Sequence, residues 1–163
     1  GLLSGDMTGV NLEITDLTDT NADLETCAGW LNAQWGHDMG YSLANTTAWL
    51  TKIVQPGGTE AALIARQGGL PVGICLLVDC DLEGRDDLTP WLSSLYVLPE
   101  YRRQSIGSRL VDGIETLARQ SDAEVFFLYT KTEEPYYARR NWITMERFRL
   151  ESGEFALMQK SLF

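Results

Sequence analysis

Leu95-Tyr-Val-Leu-Pro-Glu-Tyr-Arg-Arg-Gln-Ser-Ile-Gly-Ser-Arg-Leu110 is the stretch from which the rest of the chain can be read. The apolar run 91–98 suits a strand, and Pro99 ends it. Downstream, Ile106, Leu110, Ile114 and Leu117 recur at helical spacing and predict a helix to about residue 119. The residues between are small or basic. Such a junction leaves backbone N–H groups without acceptors at a helix N-terminus, where the helix dipole adds partial positive charge. Arg102 and Arg103 add full charges, and Ser105 and Gly107 let a ligand come close to the backbone. This is the outline of a phosphate site; a plain strand–turn–helix junction with exposed arginines would share it. The Gly-Lys-Ser/Thr ending of a Walker loop is absent, and so is the dinucleotide pattern Gly-x-Gly-x-x-Gly.

Working outward, residues 10–15 alternate apolar and polar and predict a short strand. Residues 18–21 offer helix caps, and Asp23 and Glu25 suit a first turn. Leu24, Cys27, Ala28, Leu31 and Trp35 extend that helix to about residue 35, with residues 36–40 as its break. Ser42 caps a second helix that carries Leu43, Thr47, Leu50 and Val54 on one face, ended by Pro56-Gly57-Gly58. Residues 61–66 read as a strand, Gln67-Gly68-Gly69 as a turn, 72–81 as a long apolar strand and 82–87 as a charged loop. Residues 125–129 suit a buried strand. Residues 133–140 suit a short helix with Pro135 in its first turn, and 142–150 with 155–162 a closing hairpin around Ser152-Gly153. The order is β α α β β β α β α β β.

The chain has 163 residues, enough for one core, with 44% hydrophobic and 22% charged residues. That composition excludes a disordered or fibrous chain. Residues 10–163 are expected to form a single domain after a tail of residues 1–9. The net charge of −10 argues against nucleic acid as a partner, since duplex binding needs a basic face. An acidic surface suits cationic acceptors, but it equally serves solubility. No apolar run reaches the roughly 18 residues of a membrane span, and the first nine residues do not read as a signal peptide. Gly1 reads as a processed end. Cys27, Cys75 and Cys80 form no regular framework, which fits reduced thiols and a cytoplasmic protein. Within one strand, Cys75 and Cys80 would stand about 16 Å apart on opposite faces and could not bridge. Asp79-Cys80-Asp81-Leu82-Glu83-Gly84 matches the opening of a calcium loop, but its twelfth position is Pro90 and its flanks read as strands, so no metal is expected.

The segment Arg102-Arg103-Gln104-Ser105-Ile106-Gly107, after a strand ending Val97-Leu98-Pro99, resembles the acyl-CoA motif of the GNAT N-acetyltransferase superfamily, Gln/Arg-x-x-Gly-x-Gly/Ala. Ser105 stands where the first glycine is usual. Tyr137-Ala-Arg-Arg-Asn141-Trp142 resembles the family's second signature, a tyrosine before a Gly-Phe or Gly-Trp pair, with Asn141 in the glycine position. Asn tolerates the left-handed conformation better than most residues. The element order also matches the family's, so the resemblance covers nearly the whole chain.

The resemblance implies an α/β single domain with a mixed, mostly antiparallel central sheet and two splayed parallel strands, flanked by helices: the acyl-CoA N-acyltransferase fold. It implies acetyl-CoA as co-substrate and direct transfer of the acetyl group to a primary amine. The pantetheine arm would lie along Leu95, Tyr96 and Val97, and the pyrophosphate on Arg102, Arg103, Gln104, Ser105, Ile106, Gly107 and Ser108. Direct transfer needs no cysteine nucleophile, so the cysteines read as core residues. Tyr137 fits the general acid that protonates the leaving thiolate, with Tyr136 as the competitor if the register slips by one. Residues 91–98 carry Ser93 and Ser94 where many relatives carry a glutamate base; ordered water touching those serines could replace it. His37 is the other candidate base, as the one side chain with an ordinary pKa near neutrality; a surface-loop histidine reads the same way. Trp35 and Trp49 suit either the core or the walls of an acceptor pocket. The expected partner is a small-molecule or peptide amine, and a homodimer is left open. An acyl-CoA-binding sensor without transferase activity, or a phosphate-binding regulatory domain, are the other readings of this sequence.

Overall fold

A computed structural model describes residues 11–19 and 22–163. A seven-stranded sheet runs in the order β1-β2-β3-β4-β5-β7-β6. Its strands are β1 (Leu12–Asp16), β2 (Ala61–Gln67), β3 (Leu70–Val78), β4 (Trp91–Val97), β5 (Val125–Thr130), β6 (Ile143–Leu150) and β7 (Gly153–Ser161). The pairings are antiparallel except that of β4 with β5. The expected mixed sheet with one parallel junction is therefore present.

Helices α1 (Asp23–Leu31) and α3 (Leu43–Ile53) cover one face, and α4 (Ile106–Arg119) covers the other. The alternation of strand side chains divides the core in two. Trp91, Ile74, Leu76 and Phe127 meet Cys27, Leu31, Leu50 and Ile53 on the first face. Leu92, Cys75, Phe126 and Leu128 meet Ile106, Leu110 and Ile114 on the second. The expected α4 stripe is buried at its first three positions, and Leu117 is partly buried. Gly113 sets how near α4 can lie to the sheet, since a Cβ there would stand 2.6 Å from Leu63 Cδ1. On the last turns, Glu115 is buried between Arg119 and Lys160, whose Nζ is 2.7 Å away, and this ties α4 to β7.

Several expectations are corrected. The first helix does not break at Gly36. It widens into a π-helical turn (Asn32–Gly36) and continues for one more turn, α2 (His37–Met39). Asn32 Nδ2, which donates to Tyr41 O at 2.9 Å and to Thr46 Oγ1 at 3.2 Å, braces that turn against the start of α3. The residue at the N-terminus of α1 is Ala22, with no side-chain cap; Val10, Thr20 and Asn21 lie outside the described residues. Ser42 does cap α3, in a reciprocal capping box with Asn45. The buried α3 face is Thr46, Leu50 and Ile53, while Leu43 is exposed. Strand β3 ends at Val78 rather than residue 81 because Asp79 leaves the ladder: its N–H donates to Glu60 Oε2. Cys80 is therefore an exposed loop residue and not a core one, whereas Cys27 and Cys75 are buried.

Candidate active site

The site grows out of an irregularity in β4. Ile74 pairs with Tyr96 and Leu76 with Ser93, so two steps along β3 face three along β4. The extra residue is accommodated at Ser94, whose φ is +58°. A bulge of this kind bends its strand. Beyond it β4 and β5 part: they pair at Trp91↔Phe127 alone, supported by the Phe127 N–H to Pro90 O bond of 3.0 Å. From Leu92 onward the β4 edge facing β5 has no strand against it.

Leu95, Tyr96 and Val97 lie on that open stretch. A 3-10 turn (Pro99–Tyr101) and the loop 102–105 then lead into α4. Arg103 and Ser105 both have left-handed backbones, with φ of +66° and +65°. Left-handed residues alternating with ordinary ones gather successive N–H groups into an anion-binding concavity. Ser105 heads the helix without a side-chain cap, and the first helix amide to find a backbone acceptor is that of Arg109, on Ser105 O. Among the described residues no acceptor meets the amides of residues 103–108. Gly107 faces β4: a Cβ there would stand 3.8 Å from Val97 Cγ2 and 3.9 Å from Leu95 Cδ2. Ile106 contributes its amide to the loop and its side chain to the core.

Arg102 is held against the strand. Its Nε donates to Val97 O at 2.8 Å, and its guanidinium lies 5.6 Å from the Tyr96 ring centroid. Arg103 and Gln104 are exposed. Ser108 Oγ is 2.8 Å from Tyr136 Oη, which joins the first turn of α4 to α5 (Glu134–Ala138). Next in sequence, Tyr137 is 5% exposed and packs edge-on against Tyr136 and Trp142. Burial pushes its phenol well above the ordinary tyrosine range, so it stays protonated at any physiological pH. Asn141 has φ of +75°, the conformation anticipated for the glycine position.

The loop after β3 adds a group that sequence reading placed at the end of a strand and in the calcium-loop match. Burial pushes the Asp81 carboxyl up to about 7, against the opposing pull of a hydrogen bond from Ser93. Ser93 Oγ in turn lies 2.9 Å from Ser94 Oγ. The one sequence signal was the pair of serines inside an otherwise apolar strand. Tyr129 of β5 is packed on Trp91, and burial raises its phenol well above the ordinary tyrosine range. Trp35 and Trp49 are 37% and 40% exposed, so of the two expected positions neither is in the core. The side chain of His37 lies outside the described residues. Burial lifts the Cys27 thiol to about 12 and Cys75 further still.

The model of the acetyltransferase (GNAT) family matches residues 23–142. The chain belongs to that family. No curated protein sequence matches it. Among solved structures, a Klebsiella pneumoniae protein assigned as an acyl-CoA N-acyltransferase is 26% identical, with a TM-score of 0.67 over 93% of this chain and 98% of the other. A Salmonella typhimurium protein assigned as an acetyltransferase, solved with its cofactor acetyl-CoA, is 17% identical, with a TM-score of 0.73 over 94% and 95%. The aminoglycoside 6′-N-acetyltransferase of Enterococcus faecium is 18% identical, with a TM-score of 0.69 over 93% and 97%. The GNAT fold anticipated from the two motifs is thus the fold of this protein. Among the described residues no helix is long and apolar enough to cross a membrane.

Proposed function

We propose that this GNAT protein transfers an acetyl group from acetyl-CoA directly to a primary amine on a small-molecule acceptor. The observation that carries this reading is the row of acceptor-free amides at 103–108 beside the open edge of β4. A pyrophosphate needs N–H donors and positive potential, and a helix N-terminus offers both. A pantetheine amide needs a strand edge to pair with, and β4 beyond Leu92 offers one. The ligands named for the Salmonella and Enterococcus relatives, acetyl-CoA and an aminoglycoside, support the same reading.

In this reading Leu95, Tyr96 and Val97 hold the arm, and the amides of 103–108 hold the pyrophosphate. Arg102, stacked on Tyr96, keeps β4 extended and lends charge nearby. Acetyl-CoA supplies an activated acyl group. Tyr137 donates its proton to the departing sulfur, and burial keeps that proton on the phenol until charge develops there. Exposed Trp35, Trp49 and Tyr41 form aromatic walls on the acceptor side, with His37 on the same segment. Three free cysteines suit a cytoplasmic protein.

The experiment is a thermal-shift titration with acetyl-CoA, followed by a CoA-release assay over aminoglycosides, polyamines and amino acids. Acetyl-CoA at a hundredfold excess over its Kd should stabilise the protein by about 2.7 kcal/mol, and one amine class should release CoA. Binding without release would assign the chain as an acyl-CoA sensor. A shift with ATP and none with acetyl-CoA would overturn the reading.

A further inference from the structure

The open edge of β4 is not free along its whole length. Leu98 N donates to Val72 O at 2.9 Å, and Tyr96 pairs with Ile74 in the same register. In a trans peptide the C=O points opposite to the N–H. The carbonyls of Val97 and, two residues back, of Leu95 therefore turn away from β3, toward the side that β5 has left. Of these two acceptors, Val97 O is already taken. Arg102 reaches back over the 3-10 turn, and its Nε donates to that oxygen at 2.8 Å.

Ring contacts fix the guanidinium in this place. It lies 5.6 Å from the centroid of the Tyr96 ring, and that ring packs on Trp30 of α1 with centroids 5.7 Å apart. A planar guanidinium held over a ring is set in direction as well as position. The consequence concerns register. Two residues along a strand are about 7 Å. With both carbonyls open, an extended arm carrying amide N–H groups could pair in two registers that far apart. With Val97 O closed, the acceptor left to the arm is Leu95 O, and Val97 keeps its N–H to give. One register remains.

We propose that Arg102 is a positioning residue for the pantetheine arm of the acyl donor: it closes Val97 O and so directs an amide N–H of the arm to Leu95 O, an assignment that rests on the acetyl-transfer reading above. Arg102 thereby sets where the thioester stops along β4, and hence how it stands to Tyr137. The pyrophosphate is left to the amides of 103–108. In this role the donor at Nε matters and the charge is secondary. Glutamine carries an N–H donor at the same number of bonds from Cα as arginine Nε, without the charge. Lysine keeps the charge but has a methylene at that place, with its donors one bond further out.

The test measures Kd for acetyl-CoA by calorimetry, and for S-acetylpantetheine, which lacks the pyrophosphate and nucleotide, by NMR titration. Arg102→Ala should weaken both donors by roughly tenfold, as expected for one charge-assisted hydrogen bond. Arg102→Gln should recover most of that loss, and Arg102→Lys little of it. Ligand-free melts within a few degrees of the parent show that each variant keeps the fold. A loss confined to acetyl-CoA that Arg102→Lys recovers makes Arg102 an anion ligand; it overturns the proposal and leaves the transferase reading standing. Equal affinities in all four proteins overturn the proposal too. If S-acetylpantetheine binds too weakly to titrate, the acetyl-CoA series decides: recovery by glutamine and not by lysine supports the proposal, and any other order overturns it. Absence of acetyl-CoA binding to the parent overturns the transferase reading, and the proposal falls with it.

Discussion

The phenol oxygen of Tyr136 lies 2.8 Å from the hydroxyl of Ser108, so the two neighbouring tyrosines of α5 have different partners. Tyr136 braces the first turn of α4, while Tyr137 is buried against Trp142. Tyr137→Phe keeps the ring and removes the donor. Turnover should fall about tenfold to a thousandfold, with acetyl-CoA affinity within a few-fold, since the donor matters when charge develops on sulfur. Tyr136→Phe should instead cost about 0.5–1.5 kcal/mol of stability and leave turnover nearly intact. Steady-state kinetics and thermal melts on both variants check this; normal turnover in Tyr137→Phe beside a crippled Tyr136→Phe would exchange the roles.

At Gly107 a single added carbon fits. A Cβ would meet Val97 and Leu95 at ordinary contact distances. Gly107→Ala should therefore fold and bind acetyl-CoA. Gly107→Val adds a branched side chain between the loop and the open stretch of β4 and should lose the acetyl-CoA thermal shift while the ligand-free melt stays within a few degrees. At Ser105, φ of +65° makes Ser105→Gly a neutral or stabilising change, by up to about 1 kcal/mol, with the shift retained.

Asp81 sets a pH dependence of stability whose sign follows from its raised carboxyl. Below about pH 4 the group is protonated in both states and contributes no difference. Between about pH 4 and 7 the unfolded chain gives up this proton and the native one keeps it, so folding loses stability as pH rises through that window, and above 7 the full cost remains. Asp81→Asn should melt higher than the parent at pH 8, by on the order of 1–3 kcal/mol after solvent screening. The gain should vanish at pH 4. A pH-independent difference between the two melts would refute the raised carboxyl of Asp81.

The three thiols should differ in reactivity through access. Cys27 and Cys75 are buried with strongly raised thiols, while Cys80 is exposed and raised less. Iodoacetamide at pH 7.5 should label Cys80 alone in the native protein, and all three after unfolding, as read by intact mass. Cys80→Ser should retain full transferase activity.

The helix at 106–119, the turn at 68–69 and the cap at Ser42 were legible in the chain because each is a local matter: the residues that decide it lie within a few positions of one another. The same holds for Asn141, whose tolerance of a left-handed backbone was readable, but not for the left-handed Arg103 and Ser105. The bulge at Ser94 was not legible, because it arises from the register between β3 and β4. Nor was the π-helical turn at 32–36, which is braced by Asn32 reaching across to Tyr41 and Thr46. Asp81 read as the end of a strand, and only the early exit of β3 at Asp79 puts it in the loop, where burial raises its carboxyl. Local spacing thus set which elements form and where a phosphate can rest. Long-range pairing decided where β4 opens, because contacts between distant segments leave no periodic trace in the chain.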